Sequence, residues 1–177
     1  MSNGLFKMGN DPKEEWLTPP YIINALGSFD LDPCSPINRP WDTAKEHFTI
    51  LDNGLTKKWA GRVWLNPPYG NQAIRWMQRM ATHGDGIALL LARTETEMFQ
   101  DYVFGVADAL FFIRGRVRFY SVEGNESRDN PGAPSVLIAY GRDNADALRR
   151  CGLKGHIVSL KRIERAQMQP ALFVEAA

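Results

Sequence analysis

Apolar positions along this chain follow two different spacings. Ile87 to Ala92 is an unbroken apolar run of strand length, as expected for a strand covered on both faces. Arg62-Val63-Trp64-Leu65 reads as a strand that stops at two prolines, and Phe29 to Leu31 as a short buried one ending at Asp32-Pro33. Ala109 to Ile113, Val117 to Tyr120 and Ser135 to Tyr140 complete the predicted strands, with a turn at Arg114-Gly115 between the first two. Helical spacing dominates elsewhere. Gln72 to His83 places Ile74, Met77 and Met80 on one side and closes at Gly84. Tyr21 to Leu26 is apolar on one side, with Thr18 read as its N-cap, prolines at the first helical positions and Gly27 at its end. Thr96 to Val106 and Ala145 to Cys151 are further helical stretches. Cys34 to Trp59 is irregular, with turn residues at Asp52, Asn53 and Gly54.

Alternation of strands and helices of this length predicts a doubly wound, Rossmann-like α/β domain with a mostly parallel sheet. Such sheets bind ligands beyond the carboxyl ends of their strands. Asp32-Pro33 and Asn66-Pro67-Pro68-Tyr69 both fall there. The domain is expected over residues 14–165, after a flexible segment 1–13 and before a weakly ordered tail 166–177.

Composition narrows the picture. A chain of 177 residues, 44% hydrophobic, suffices for one buried core. No apolar run approaches the roughly 18 residues that span a bilayer, so no membrane partner is expected. The polar stretch Met1 to Lys13 lacks the apolar core of a signal peptide, which predicts a cytoplasmic protein. Cys34 and Cys151 are far apart and read as inert thiols, and His47, His83 and His156 are scattered. No metal site is expected. Charge is uneven: residues 1–111 hold 10 Lys/Arg against 13 Asp/Glu, residues 112–177 hold 11 against 7. Arg114, Arg116, Arg118 and Arg128 crowd one stretch beside Phe119 and Tyr120. That pattern fits a phosphate-facing patch and equally a strand edge blunted by charge.

The sharpest chemistry lies in Asn66-Pro67-Pro68-Tyr69. A conjugated NH2 is a poor nucleophile because its lone pair is delocalised. The Asn66 side-chain oxygen and the Pro67 carbonyl can accept hydrogen bonds from such a group and favour its pyramidal form. Consecutive prolines hold φ near −65°, so the carbonyl is placed rigidly, as this kind of catalysis requires. Tyr69 offers a flat face for a planar base. With S-adenosylmethionine as donor no base has to act first, since the sulfonium is a strong electrophile. This motif leaves adenine in DNA, adenine in RNA and a protein glutamine amide open as substrates.

Glu15-Trp16-Leu17-Thr18-Pro19, Phe29-Asp30-Leu31-Asp32-Pro33-Cys34, Asp52-Asn53-Gly54-Leu55 followed by Trp59, and Val63 to Tyr69 occur in that order. Ala88 to Thr94, Phe112 to Phe119 and Gly132-Ala133-Pro134-Ser135 continue the series. Together, over about residues 14–140, they resemble the phage-type, Dam-like DNA N6-adenine methyltransferases. The resemblance implies a methyltransferase of the S-adenosylmethionine-dependent fold, acting on double-stranded DNA in a bacterial cell and encoded by a phage or prophage. It places Thr18 and Pro19 near the methionine end of S-adenosylmethionine, Asp32 near its ammonium group with Pro33 beside it, and Asp52 and Leu55 at its adenosine part. Asp42 and Glu46 both stand as candidates for the ribose hydroxyls. One departure is plain: Asp32 to Asn38 contains no glycine, where many methyltransferases have a glycine-rich turn.

Duplex DNA would require the adenine to be flipped from the stack. Recognition is then expected in the loop near 121–132, with Lys7 to Lys13 as a further candidate, while Arg116, Arg118 and Arg128 contact phosphates. Methylation of RNA adenine or of a protein glutamine amide are competing readings, as is an inactive DNA-binding module motivated by the missing glycines. Oligomeric state stays open.

Overall fold

The computed structural model of the chain describes residues 16–127 and 132–160. Among these the order is α1 (Pro20–Leu26), β1 (Leu31–Asp32), β2 (Glu46–His47), β3 (Val63–Leu65), α2 (Ala73–His83), β4 (Gly86–Leu91), α3 (Glu97–Tyr102), β5 (Ala109–Ile113), β6 (Ser135–Tyr140), α4 (Arg142–Arg150) and β7 (Gly155–Ser159). The segments 1–13 and 166–177, and Arg128 within the candidate recognition loop, lie outside the described residues.

The strands form one sheet in the order β2-β1-β3-β4-β6-β5-β7. β1 to β4 pair in parallel, β6 runs against both β4 and β5, and β7 runs against β5. Five strands therefore share one direction, in keeping with a mostly parallel Rossmann-like sheet. From β1 the chain steps outward to β2, then returns to the other side of β1 as β3. That reversal makes the crevice beyond β1 and β3 the natural ligand site.

Alternate residues of the central strands face opposite layers. Val63 and Leu65 of β3, Ala88 and Leu90 of β4, and Val136 and Ile138 of β6 pack with Met77, Met80 and Phe99 from α2 and α3. Trp64, Ile87, Leu89, Leu137 and Ala139 face the other way, onto Ile22 and Leu26 of α1 and Leu148 of α4. In α2 the buried positions Ala73, Trp76, Met77 and Met80 keep helical spacing, and Gly84 ends the helix with φ 76° and its N–H on the Met80 carbonyl. At the amino ends of the strands, Arg62 donates to Asn144 at 2.6 Å, and Asn144 donates to Asp85 at 2.8 Å and to the Tyr140 carbonyl at 2.7 Å. This network ties α4 to the sheet.

Three expectations need correction. Thr18 does not cap α1: the cap position is Pro19, with ψ 138° and no side-chain cap bond. Pro20 forces the residue before it out of the helical region, so the helix starts a residue too late for the Thr18 hydroxyl to reach it. Val117 to Tyr120 is not a strand of the sheet. Its alternation is real, with Val117 and Phe119 buried and Arg116 and Arg118 exposed. However, both sides of β5 are already taken by β6 and β7, and Tyr120 pairs instead with Leu17 and Glu126 as isolated bridges. Finally, β2 and β7 were not expected. β2 is two residues long, and β7 is largely exposed, so neither carries an apolar pattern.

Candidate active site

Asn66 follows the last residue of β3 directly, on the carboxyl side of the sheet. Pro67 is buried, while Pro68 and Tyr69 are exposed. The Asn66 side chain donates from Nδ2 to the Trp16 carbonyl at 3.1 Å. Its Oδ1 is buried and has no hydrogen-bond partner. The Asn66 main-chain carbonyl accepts from the Cys34 thiol at 3.3 Å. Tyr69 meets Phe119 edge-on, with ring centres 6.4 Å apart and planes at 82°. The arginine-bearing segment thus lies against the Asn-Pro-Pro-Tyr turn, with Arg114, Arg116 and Arg118 exposed. Arg118 lies 3.8 Å from Glu126, an exposed pair of small energetic weight.

Asp32 ends β1 and is 4% exposed. Its carboxylate accepts from the Thr43 hydroxyl at 2.5 Å and from the Cys34 N–H at 3.1 Å. Burial outweighs these bonds and pushes its pKa up to about 6. Burial, then the neighbouring Asp32, pushes the Cys34 thiol well up, so it stays protonated and able to donate. His47, in register beside Asp32, has its pKa lowered chiefly by burial. Its neutral ring accepts at Nε2 from the N–H groups of Thr43 and Ala44 at 3.2 and 3.3 Å, holding the Thr43 loop over Asp32.

Thr18 is 1% exposed and its hydroxyl oxygen has no partner. Pro19 and Pro33 are buried beside it in sequence and after β1 respectively. Asp52 spends one carboxylate oxygen on the N–H and hydroxyl of Thr49, at 2.9 and 3.0 Å, and faces Lys57 at 3.5 Å. Leu55 is half-buried against the core. Between them Gly54 presses on the β1 loop so closely that a Cβ there would sit 1.9 Å from the Pro33 carbonyl oxygen. Residues 32–38 hold no glycine, and the close approach of the two loops requires one at position 54. Asp42 is exposed and paired with Arg39 at 3.1 Å, and Glu46 is exposed.

The residues singled out after β1 and β3 therefore meet: Thr18, Asp32 and Asn66 are joined through Trp16 and Cys34. Sequence reasoning missed Trp41 and Thr43 as parts of this site; it held Trp16 within a motif and Cys34 within the Pro33 to Ser35 loop, but not their contacts with Asn66. Their contacts cross between loops, and no local pattern signals them. Among the described residues no group of three or more His, Cys, Asp or Glu is placed to hold a metal ion. No described helix is long and apolar enough to cross a membrane.

A doubly wound sheet with an acid ending β1 and Asn-Pro-Pro-Tyr ending β3, on either side of the switch point, has the make-up of an amino-group methyltransferase. The family model for DNA N-6-adenine-methyltransferase (Dam) matches residues 7–165, most of the chain, and the chain belongs to that family. No match was found among curated proteins or among solved structures.

Proposed function

We propose that this DNA adenine methyltransferase transfers a methyl group from S-adenosylmethionine to N6 of a flipped-out adenine at a defined site in double-stranded DNA. The observation that carries this reading is the Oδ1 of Asn66, buried and unpartnered at the carboxyl end of β3. A buried acceptor left without a donor costs about 1–3 kcal/mol, and an exocyclic amino group supplies that donor. Two further features fit the cofactor: the unpartnered Thr18 hydroxyl, and Asp32, whose two bonds leave lone pairs for a cationic group.

In this reading Asn66 Oδ1 and the Pro67 carbonyl accept the two N–H groups of N6 and draw its lone pair out of conjugation. Tyr69, exposed and braced by Phe119, stacks on the base. Bound S-adenosylmethionine supplies an electrophilic methyl group on a positively charged sulfur. As N6 gains the methyl it loses one proton to water. Thr18, Pro19, Asp32 and Pro33 hold the methionine end. Leu55 lines the adenosine end, and Asp52 keeps that loop in shape through Thr49. Arg116 and Arg118 take phosphates, with the loop near 121–132 reading the target. The protein then works in the cytoplasm of a bacterial cell, on DNA that a phage or prophage shares with its host.

Purified protein with methyl-labelled cofactor and unmethylated duplex DNA tests this. Label is expected on N6 of adenine, and Asn66→Ala should reduce it by about 100-fold or more. Label in RNA or protein alone, or none, overturns the reading.

A further inference from the structure

Asn66 can serve an incoming amino group only if its oxygen faces the substrate rather than its NH2. Nothing intrinsic to an amide side chain decides this, because the two ends are nearly the same size. Here the choice is made by a neighbour. The Trp16 carbonyl, 3.1 Å from Asn66, has nothing to donate, so the group facing it is the NH2. Oδ1 is thereby left as the free acceptor.

The carbonyl is itself held. Leu17 and Tyr120 exchange main-chain bonds of 2.8 and 3.0 Å. Trp41 donates from its indole Nε1 to the Thr18 carbonyl at 3.1 Å, and its ring meets Tyr120 edge-on at 5.3 Å. Residues 16–18 are thus clamped from two sides, while the Cys34 thiol holds the Asn66 main chain. We propose that the Trp16 main-chain carbonyl is the positioning group that sets the orientation of the Asn66 amide, that Trp41 is the side chain that keeps it there, and that this is why position 66 is asparagine and not aspartate. The proposal rests on the methyltransferase reading and adds to it.

Asn66→Asp separates orientation from mere accepting power. An aspartate keeps both acceptor oxygens but turns one of them, charged, against the Trp16 carbonyl. Protonation restores a donor for that carbonyl. Methyl transfer by Asn66→Asp, taken relative to the unaltered protein, should be lowest near about pH 8 and rise on acidification by up to about tenfold per pH unit. A group acting only as an acceptor gives an active aspartate variant with a flat ratio, and that result overturns the proposal. Thermal melting provides a readout independent of turnover. The melting temperature of Asn66→Asp should lie below that of the unaltered protein at about pH 8 and approach it as the carboxyl protonates; a constant gap overturns the proposal. If the unaltered protein labels no DNA, the function fails while the melting test still decides the orientation. Trp41→Phe keeps an aromatic ring and removes the Nε1 donor. It should lower kcat several-fold with the KM for cofactor and DNA unchanged, and lower it no further in an Asn66→Ala background. A rise in KM alone overturns the role of Trp41.

Discussion

The hydroxyl of Thr43 donates a 2.5 Å hydrogen bond to the carboxylate of Asp32, and both residues are buried. A hydroxyl and one backbone N–H are weak compensation for removing a carboxylate from water, which is why its pKa rises to about 6.

The stability consequence has a definite sign. The folded carboxyl holds its proton to a higher pH than the unfolded one, whose pKa is about 3.9. Between those two values the folded state binds more protons, so stability falls as pH rises through the window from about 4 to about 6 and is level above it. Asp32→Asn removes the titration; its oxygen can accept from Cys34 and its NH2 can donate to Thr43. The variant should be more stable than the parent at neutral pH by about 1–3 kcal/mol, since a shift of one unit is worth about 1.4 kcal/mol. Melting curves from about pH 4 to 8 would show it. The same variant should lose the rise in melting temperature that S-adenosylmethionine gives by mass action.

Gly54→Ala places a methyl group in the space of the Pro33 carbonyl. Backbone cannot yield as a flexible side chain would, so a loss of about 1–3 kcal/mol is expected in denaturant unfolding. Cofactor affinity should fall with it, because Pro33 belongs to the proposed binding loop. An unchanged dissociation constant would remove Pro33 from that loop's function.

Arg116→Ala and Arg118→Ala should weaken binding to duplexes of any sequence alike. Removing one arginine–phosphate pair lowers the slope of log affinity against log salt by about 0.9. Salt titrations by fluorescence anisotropy give that slope. Weakening restricted to the target sequence would assign these arginines to base reading instead.

Asn144→Leu tests the network at the amino ends of the strands. It removes the partner of Arg62 Nε and of the Tyr140 carbonyl at once, with Asn144 wholly buried, while the exposed Asp85 turns to water. A cost of about 3 kcal/mol or more is expected. The catalytic side of the sheet is remote from it, so specific activity of the folded fraction should be unchanged.

Much of the fold was legible because the central strands are apolar on both faces. Gly86–Leu91 and Ser135–Tyr140 could hardly be anything else. The motif was legible for a similar reason: two prolines mark where β3 must stop, so Asn66 falls on the ligand side of the sheet. β2 left no trace, since its place is set by backbone bonds from Glu46 and Phe48 to the carbonyls of Asp30 and Asp32. Thr18 was misread for a local reason, the second proline, while its burial next to the site was decided by packing. Trp41 illustrates the remainder. Twenty-three positions separate it from the carbonyl it holds, and pairings at that range have no periodic signature.

The contact between Gly54 and Pro33 bears on how such chains are recognised and how they diverge. The close backbone approach that requires glycine lies in the neighbouring loop, so a motif scan confined to the residues after β1 would not see it. The two loops then evolve as a pair. Any residue at position 33 keeps the main-chain carbonyl, so a side chain fits at position 54 only where the loop after β1 takes another path. Aligned relatives that share this loop path should keep glycine at position 54, whatever residue stands at position 33.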